Sequence, residues 1–313
     1  PALTKINAEY CFFPIPDQIL NLDSSLIINW IDKDLNRYKF SAFNRLNNAM
    51  SNMSAGLLSK RIFNQIGTSL PNFSANKEFI ETLGGNYIIW NNSDNTVSGS
   101  KPNTYGYNGD SLLFYNPFPF EEPADNGEAW KVESWFDFST TEIYAIFNSK
   151  FRNFRDLLEK AGLYDPALYD FPFLIKGESY TIFVPSDEAL AEFQADTLSE
   201  DDLASLLRYH FIKGERVFTD NKMPWKNYET IRKDESSTPF SSYFSSLNIR
   251  PGSDVIDILD SEGNLYLSIP EVEGKTNLMV AYDTDELSNE EEDFITTIIV
   301  HEISKVLDPK ILK

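Results

Sequence analysis

The sequence predicts an α+β fold arranged as two domains. Two observations carry this. Between residues 151 and 304, helical patterns come first and short strand patterns follow. The landmarks of that half also recur, in the same order, in the first half. A length of 313 residues fits two domains of ordinary size.

The segment "FRNFRDLLEKAG" (151–162) places Phe151, Phe154, Leu157, Leu158 and Ala161 on one helical face. Gly162 stands where a left-handed cap would end that helix. "YTIFVP" (180–185) is β-branched and aromatic and stops at Pro185, which predicts a strand. Ser186 can cap a short helix whose first turn holds Asp187 and Glu188, both favourable at the positive end of the helix dipole. Ser199 with Asp202 makes a capping-box-like pair. Leu203, Leu206, Leu207, His210 and Phe211 follow at helical spacing, and Gly214 would close that helix. Strands are expected in "DVIDIL" (254–259), "NLYLSI" (264–269), "NLMVAY" (277–282) and "TTIIVHEIS" (296–304). "DSEGN" (260–264) would form the turn between the first two.

"YCFFPIPDQIL" (10–20) aligns without a gap on "YTIFVPSDEAL" (180–190). "LLSKRIF" (57–63) is similar to "LLRYHFI" (206–212), and "WKVESWF" (130–136) to "HEISKVL" (301–307). This spacing is too long for a solenoid and indicates two copies of one domain. The expected domains are 1–141 and 142–313. The first lacks a counterpart of the helix at 151–162. It carries an insert, 98–129, rich in Gly, Pro, Asn and aromatics, expected to be mostly loop.

Composition narrows the function. Apolar residues make up 42% of the chain, enough for packed cores, and no run of about 18 apolar residues exists to form a membrane helix. The formal charge of −21 repels phosphate backbones, which argues against nucleic acid as a partner. The N-terminus shows no signal-peptide pattern, so a leader is expected to have been removed or never to have existed. Cys11 is the single cysteine, so neither an intrachain disulfide nor a thiolate zinc cluster can form. Its setting in "YCFFPI" suits a buried small apolar residue.

Of the catalytic patterns only paired carboxylates for glycoside hydrolysis stay open, since 48 acidic residues offer many pairs without a distinguishing motif. There is no G-x-S-x-G elbow, no H-E-x-x-H and no phosphate-cradling glycine loop. "HEISK" holds only the first two letters of the zinc motif. "DTDELSNEEED" (283–293) lacks the glycine and ligand phase of an EF-hand. No metal and no cofactor are expected. His210 falls on an apolar stripe, and His301 alternates with Ile299 and Ile303. Both patterns suit buried, neutral, hydrogen-bonded imidazoles. The rival for His210 is a binding role beside an exposed Tyr209.

"YTIFVPSDEAL", "LLRYHFIKG" and "IIVHEISKVLDP", in that order, resemble the conserved blocks of a fasciclin domain. The match is nearly complete over 142–313 and partial over 1–141. There are departures: the closing block lacks its usual Asn-Gly turn, Lys60 and Arg61 stand where the second copy has Tyr209 and His210, and Trp130 stands where it has His301. The resemblance implies a wedge of two small β-sheets with packed helices. It also implies an extracellular or cell-surface protein associated with adhesion and without catalysis. In some animal members the Tyr-His region is linked to integrin recognition, which makes Tyr209 and His210 binding candidates. His301, Asp187 and Pro185 would be structural motif residues.

The expected protein is a secreted or surface-attached bacterial protein of tandem fasciclin domains, with a lipid anchor upstream and a protein or glycan ligand. An alternative is a polysaccharide-binding accessory protein that stacks sugars on Tyr105, Tyr107, Phe114, Tyr115, Phe118 and Phe120 of the 98–129 loop. The opposing reading is that these rings pack back on their own domain.

Overall fold

A computed structural model describes residues 10–13, 61–72, 75–101, 112–113, 127–130, 132, 135–238, 241–282 and 295–312. Their fold is α+β. The chain divides into two compact units, the second made of Ser139–Lys313 joined by short earlier segments that include Ser74–Lys77.

In the first unit, strand β1 (Tyr10–Phe12) pairs antiparallel with β2 (Ile66–Gly67) and parallel with β7 (Gly127–Ala129). Cys11 lies opposite Gly67, and a methyl group on Gly67 would run into the Cys11 Sγ and the side chain of Ile80. Glycine is therefore what lets these strands close on the buried thiol. Among the described residues a second sheet runs β3 (Lys77–Glu81), β4 (Tyr87–Asn91), β5 (Thr96–Ser98) and β6 (Leu112–Leu113). Thus β6 and β7 lie within the stretch expected to be mostly loop, because their backbones find ladder partners in β5 and β1. Cys11, Phe13, Ile88, Trp90, Trp130 and Phe136 share one apolar cluster. The Phe13 and Trp130 rings stack at 5.8 Å with 26° between planes.

The second unit opens with helices α1 (Ile143–Ser149) and α2 (Arg152–Lys160). Phe154 and Leu158 of α2 are fully buried, and Gly162 has φ +64° just beyond the helix. Strand β8 (Tyr180–Pro185) leads to α3 (Asp187–Glu192), where the Ser186 hydroxyl accepts from the Ala189 N–H. Helix α4 (Glu200–Arg208) is capped by Ser199, whose hydroxyl accepts from the Asp202 N–H and donates to its carboxylate.

The helix expected to reach Gly214 ends at Arg208. Residues Phe211–Lys213 form strand β9, which pairs antiparallel with β8. The stripe of apolar residues runs on past the helix because a buried strand follows it directly. Gly214, at φ +78°, closes the strand and not the helix.

Strands β10 (Lys226–Lys233), β11 (Phe244–Gly252), β12 (Val255–Leu259) and β13 (Leu265–Pro270) form an antiparallel meander. Strands β14 (Leu278–Val280) and β15 (Ile298–Ile303) complete the unit, with a short α5 (Pro309–Leu312) at its end. The order among the described residues is β13-β12-β11-β10-β9-β8-β15-β14. Strand β9 joins two groups of strands, meeting β10 only at the Ile212–Thr230 pair.

Alternation along β8 and β15 serves two cores. Tyr180, Ile182, Val184, Ile298 and Val300 enter a cluster with the helices, whereas Phe183 and Ile303 enter one with the meander. A parallel pair buried on both faces is expected to read as an apolar run, and "YTIFVP" does except at Thr181, whose hydroxyl donates to the Glu215 carbonyl.

Candidate functional site

The candidate residues Tyr209, His210, His301, Pro185 and Asp187 gather around the β8–β9–β15 ladder. Pro185 ends β8 opposite Ile303, and the Ser186 N–H donates to the Ile303 carbonyl at 2.8 Å. Proline supplies no ladder donor, so the strand stops there and α3 begins. Asp187 is the first residue of α3.

Tyr209 caps α4 and is 2% exposed. Its hydroxyl donates to the Ser246 carbonyl at 2.9 Å. Burial pushes its pKa up to about 12. A contact made through an exposed Tyr209 is not what this geometry offers, because the ring is enclosed by the cluster under the meander. The rival binding role needs an exposed Tyr209, whereas the ring is buried where the chain leaves the helix.

His210 sits between α4 and β9 with no exposed surface. One ring nitrogen, Nδ1, lies 3.2 Å from the Leu206 carbonyl, and the other, Nε2, accepts from the Leu307 N–H at 3.0 Å. Since a carbonyl can only accept and an amide N–H can only donate, the proton is on Nδ1. Burial pushes the pKa down to about 4, so the ring is neutral near pH 7. The imidazole thus fastens the end of α4 to the segment after β15.

His301 is also fully buried, and its protonation is the reverse. Nε2 donates to the Val217 carbonyl at 2.9 Å, and Nδ1 accepts from the Asn277 N–H at 3.3 Å. Burial again pushes the pKa down to about 4. The ring stacks on Phe183, its register partner across the ladder, at 5.6 Å and 27°. Phe183 also donates its backbone N–H to the His210 carbonyl at 2.9 Å, so one strand residue touches both histidines.

Each imidazole has both nitrogens engaged by backbone groups. Neither is positioned to take a proton from a nucleophile, and neither is oriented by a carboxylate. Among the described residues no cluster of metal-ligating side chains occurs. What this arrangement can do is fix the closing segment and the loops after β9 and before β14. Tyr105, Tyr107 and the other aromatic residues proposed to stack sugars lie outside the described residues, as does Lys60.

Sequence reasoning missed two groups. One is Gln65, whose role is equivalent to that of His210: its Oε1 accepts from the Phe136 N–H at 2.8 Å, and its Nε2 donates to the Phe13 carbonyl at 3.1 Å. The internal alignment hid it by setting Arg61 against His210, whereas the Phe13 N–H donates to the Gln65 carbonyl as the Phe183 N–H does to that of His210. The other is the exposed Trp225 beside β10, 61% open to solvent.

No curated protein matches the sequence. A solved FAS1 domain pair from the insect cell adhesion molecule Fasciclin I is 13% identical and covers 97% of this chain and 90% of its own, with a TM-score of 0.35. The fasciclin domain's family model matches residues 149–262, the stretch that runs from α2 through the Tyr209–His210 pair to β12.

Proposed function

We propose that the protein is a non-catalytic interaction module of the cell surface or extracellular space, built from two fasciclin-like domains. The observation that carries the functional reading is the fasciclin match over 149–262, a family associated with adhesion. The engagement of both imidazoles by the backbone supports a role without catalysis.

Three parallels support reading the first unit as a degenerate copy. In each unit one strand pairs antiparallel on one side and parallel on the other, β2-β1-β7 against β9-β8-β15. The Phe13–Trp130 stack has nearly the geometry of the Phe183–His301 stack. Gln65 holds the Phe136 amide as His210 holds that of Leu307. In this reading both histidines were replaced in the first copy by residues that keep the packing or the hydrogen bond.

The site of action in this reading is secreted or surface-attached. The test is attachment. Surfaces coated with the full chain should retain cells above an albumin-coated control, in proportion to coating density. No attachment across bacterial and host cell types would overturn the reading.

A further inference from the structure

We infer that the outer face of the β10–β12 meander, centred on Trp225, is a binding platform for neutral saccharides. The indole is the anchor. It is 61% exposed, yet it is held: Nε1 donates to the Asn248 Oδ1 at 2.7 Å. The preceding residue is also fastened, because the Tyr228 hydroxyl donates to the Pro224 carbonyl at 2.6 Å. The Arg250 guanidinium lies over one face of the ring, 5.8 Å from its centre, so a ligand has to stack on the other face.

Around the ring, the outward side chains run across the strands. Asn227 faces Asn248 across β10 and β11, and Arg250 faces Asp257, which faces Ser268, across β11, β12 and β13. Arg250 pairs with one Asp257 oxygen at 2.7 Å, and the other accepts from the Ser268 hydroxyl at 2.7 Å. Amide, guanidinium, carboxylate and hydroxyl therefore form a row across the strands beside an indole. Neighbouring strands lie about 4.8 Å apart, a spacing on the scale of a pyranose ring.

This combination fits a sugar. A pyranose has one face of C–H groups that carry slight positive charge and suit the negative face of an indole. Its rim of hydroxyls both donates and accepts, which matches guanidinium, carboxylate and carboxamide groups already fixed by mutual hydrogen bonds. Since those side chains are held before any ligand arrives, little rotamer freedom remains to be lost. A protein partner is the poorer fit, because such an interface is depleted in Asp and Ser, and Asp257 and Ser268 lie in this row. The neutral class follows from the charges. Arg250, the cation beside the indole, is matched by Asp257, and the chain's formal charge of −21 repels a carboxylated sugar.

The test uses the full chain with soluble hexasaccharides of β-linked glucose, xylose and mannose, and a galacturonate hexamer as the acidic arm. Titration calorimetry should give saturable binding to at least one neutral hexamer. Trp225→Ala should weaken it by about tenfold or more, as loss of an anchor residue does. Asp257→Ala should weaken it as well, and Trp225→Tyr should keep most of it, each with the melting temperature checked against the parent. Three results would overturn the inference: no saturable binding to any neutral hexamer, binding unmoved by Trp225→Ala in a folded variant, or binding to galacturonate alone. No cells are involved, so failure here leaves the adhesion reading untouched, and the reverse is equally true.

Discussion

The Leu307 N–H donates to His210 Nε2 at 3.0 Å, a bond that fastens the segment after β15 to the end of α4. In the first unit a carboxamide does the same work: Gln65 takes the Phe136 N–H and gives a bond to the Phe13 carbonyl. A neutral imidazole and a carboxamide share the needed property, one donor and one acceptor on a planar group. His210→Ala should therefore strand the buried Leu307 amide, while the Leu206 carbonyl keeps the Tyr209 N–H, lowering stability by about 1–3 kcal/mol. His210→Gln should recover part of that loss. Urea unfolding of the three proteins decides it, and an Ala variant with an unchanged midpoint would show that the bond is dispensable.

Acid should weaken the second unit before the first. Both histidines have folded pKa values near 4 against an ordinary 6.5. The unfolded chain thus binds protons that the folded protein excludes. Their contribution is complete above pH 6.5 and is lost as pH falls from 6.5 to about 4, with each histidine costing roughly 3 kcal/mol at the bottom of that window. The sequence holds only these two histidines, so the first unit has none. Below the window carboxylates take over. Glu188 is held below its ordinary value by its own backbone N–H and Ser186, Asp196 by Lys160, and Asp260 chiefly by the Asn264 amide. Stability measured by denaturant from pH 7 to 4 should fall in the transition reported by the second unit, and His301→Gln should flatten the fall. A pH-independent second transition would contradict it.

Trp130 carries the first unit's aromatic cluster. It stacks on Phe13 and meets Trp90 edge-on at 5.0 Å, and it is 3% exposed. Trp130→Ala should cost about 3–5 kcal/mol, the range for truncating a buried large aromatic side chain. Two-step unfolding should show the loss in the first unit's transition only. An equal shift of both transitions would mean that the two units unfold together.

The parts of the fold that were legible in the sequence had apolar residues in their buried positions. Strand β8, both Ser caps and β12 through β15 followed from hydropathy and capping chemistry. Strand β10 did not, because its inward positions after Tyr228 are Thr230 and Arg232. Arg232 can be buried there only because Ser205 and Ser245 hydroxyls accept from its guanidinium, partners supplied by other elements. The end of α4 was illegible for the opposite reason. Tyr209 and His210, the two residues between Arg208 and Phe211, are both buried, so no exposed residue marks the break. The candidate site was half legible: the burial of His210 and His301 followed from pattern, but their bonds to Leu307, Val217 and Asn277 join residues far apart in sequence. Trp225 gave no periodic signal, because a lone aromatic residue before a polar strand has no pattern to join.

The second unit should fold without the first. Residues Ser139–Lys313 hold all eight strands from β8 to β15 and both clusters that β8 and β15 separate. Its helices bring Phe147, Phe154, Leu158 and Leu203 to the first cluster with no exposed surface. A unit of this size buries most of the apolar area its chain offers, which is the condition for independent stability. Expressed alone, 139–313 should melt cooperatively, show ordered aromatic signals in near-ultraviolet circular dichroism, and keep the acid sensitivity assigned above to His210 and His301. A soluble product without a cooperative transition would mean that the first unit supplies part of the second unit's stability.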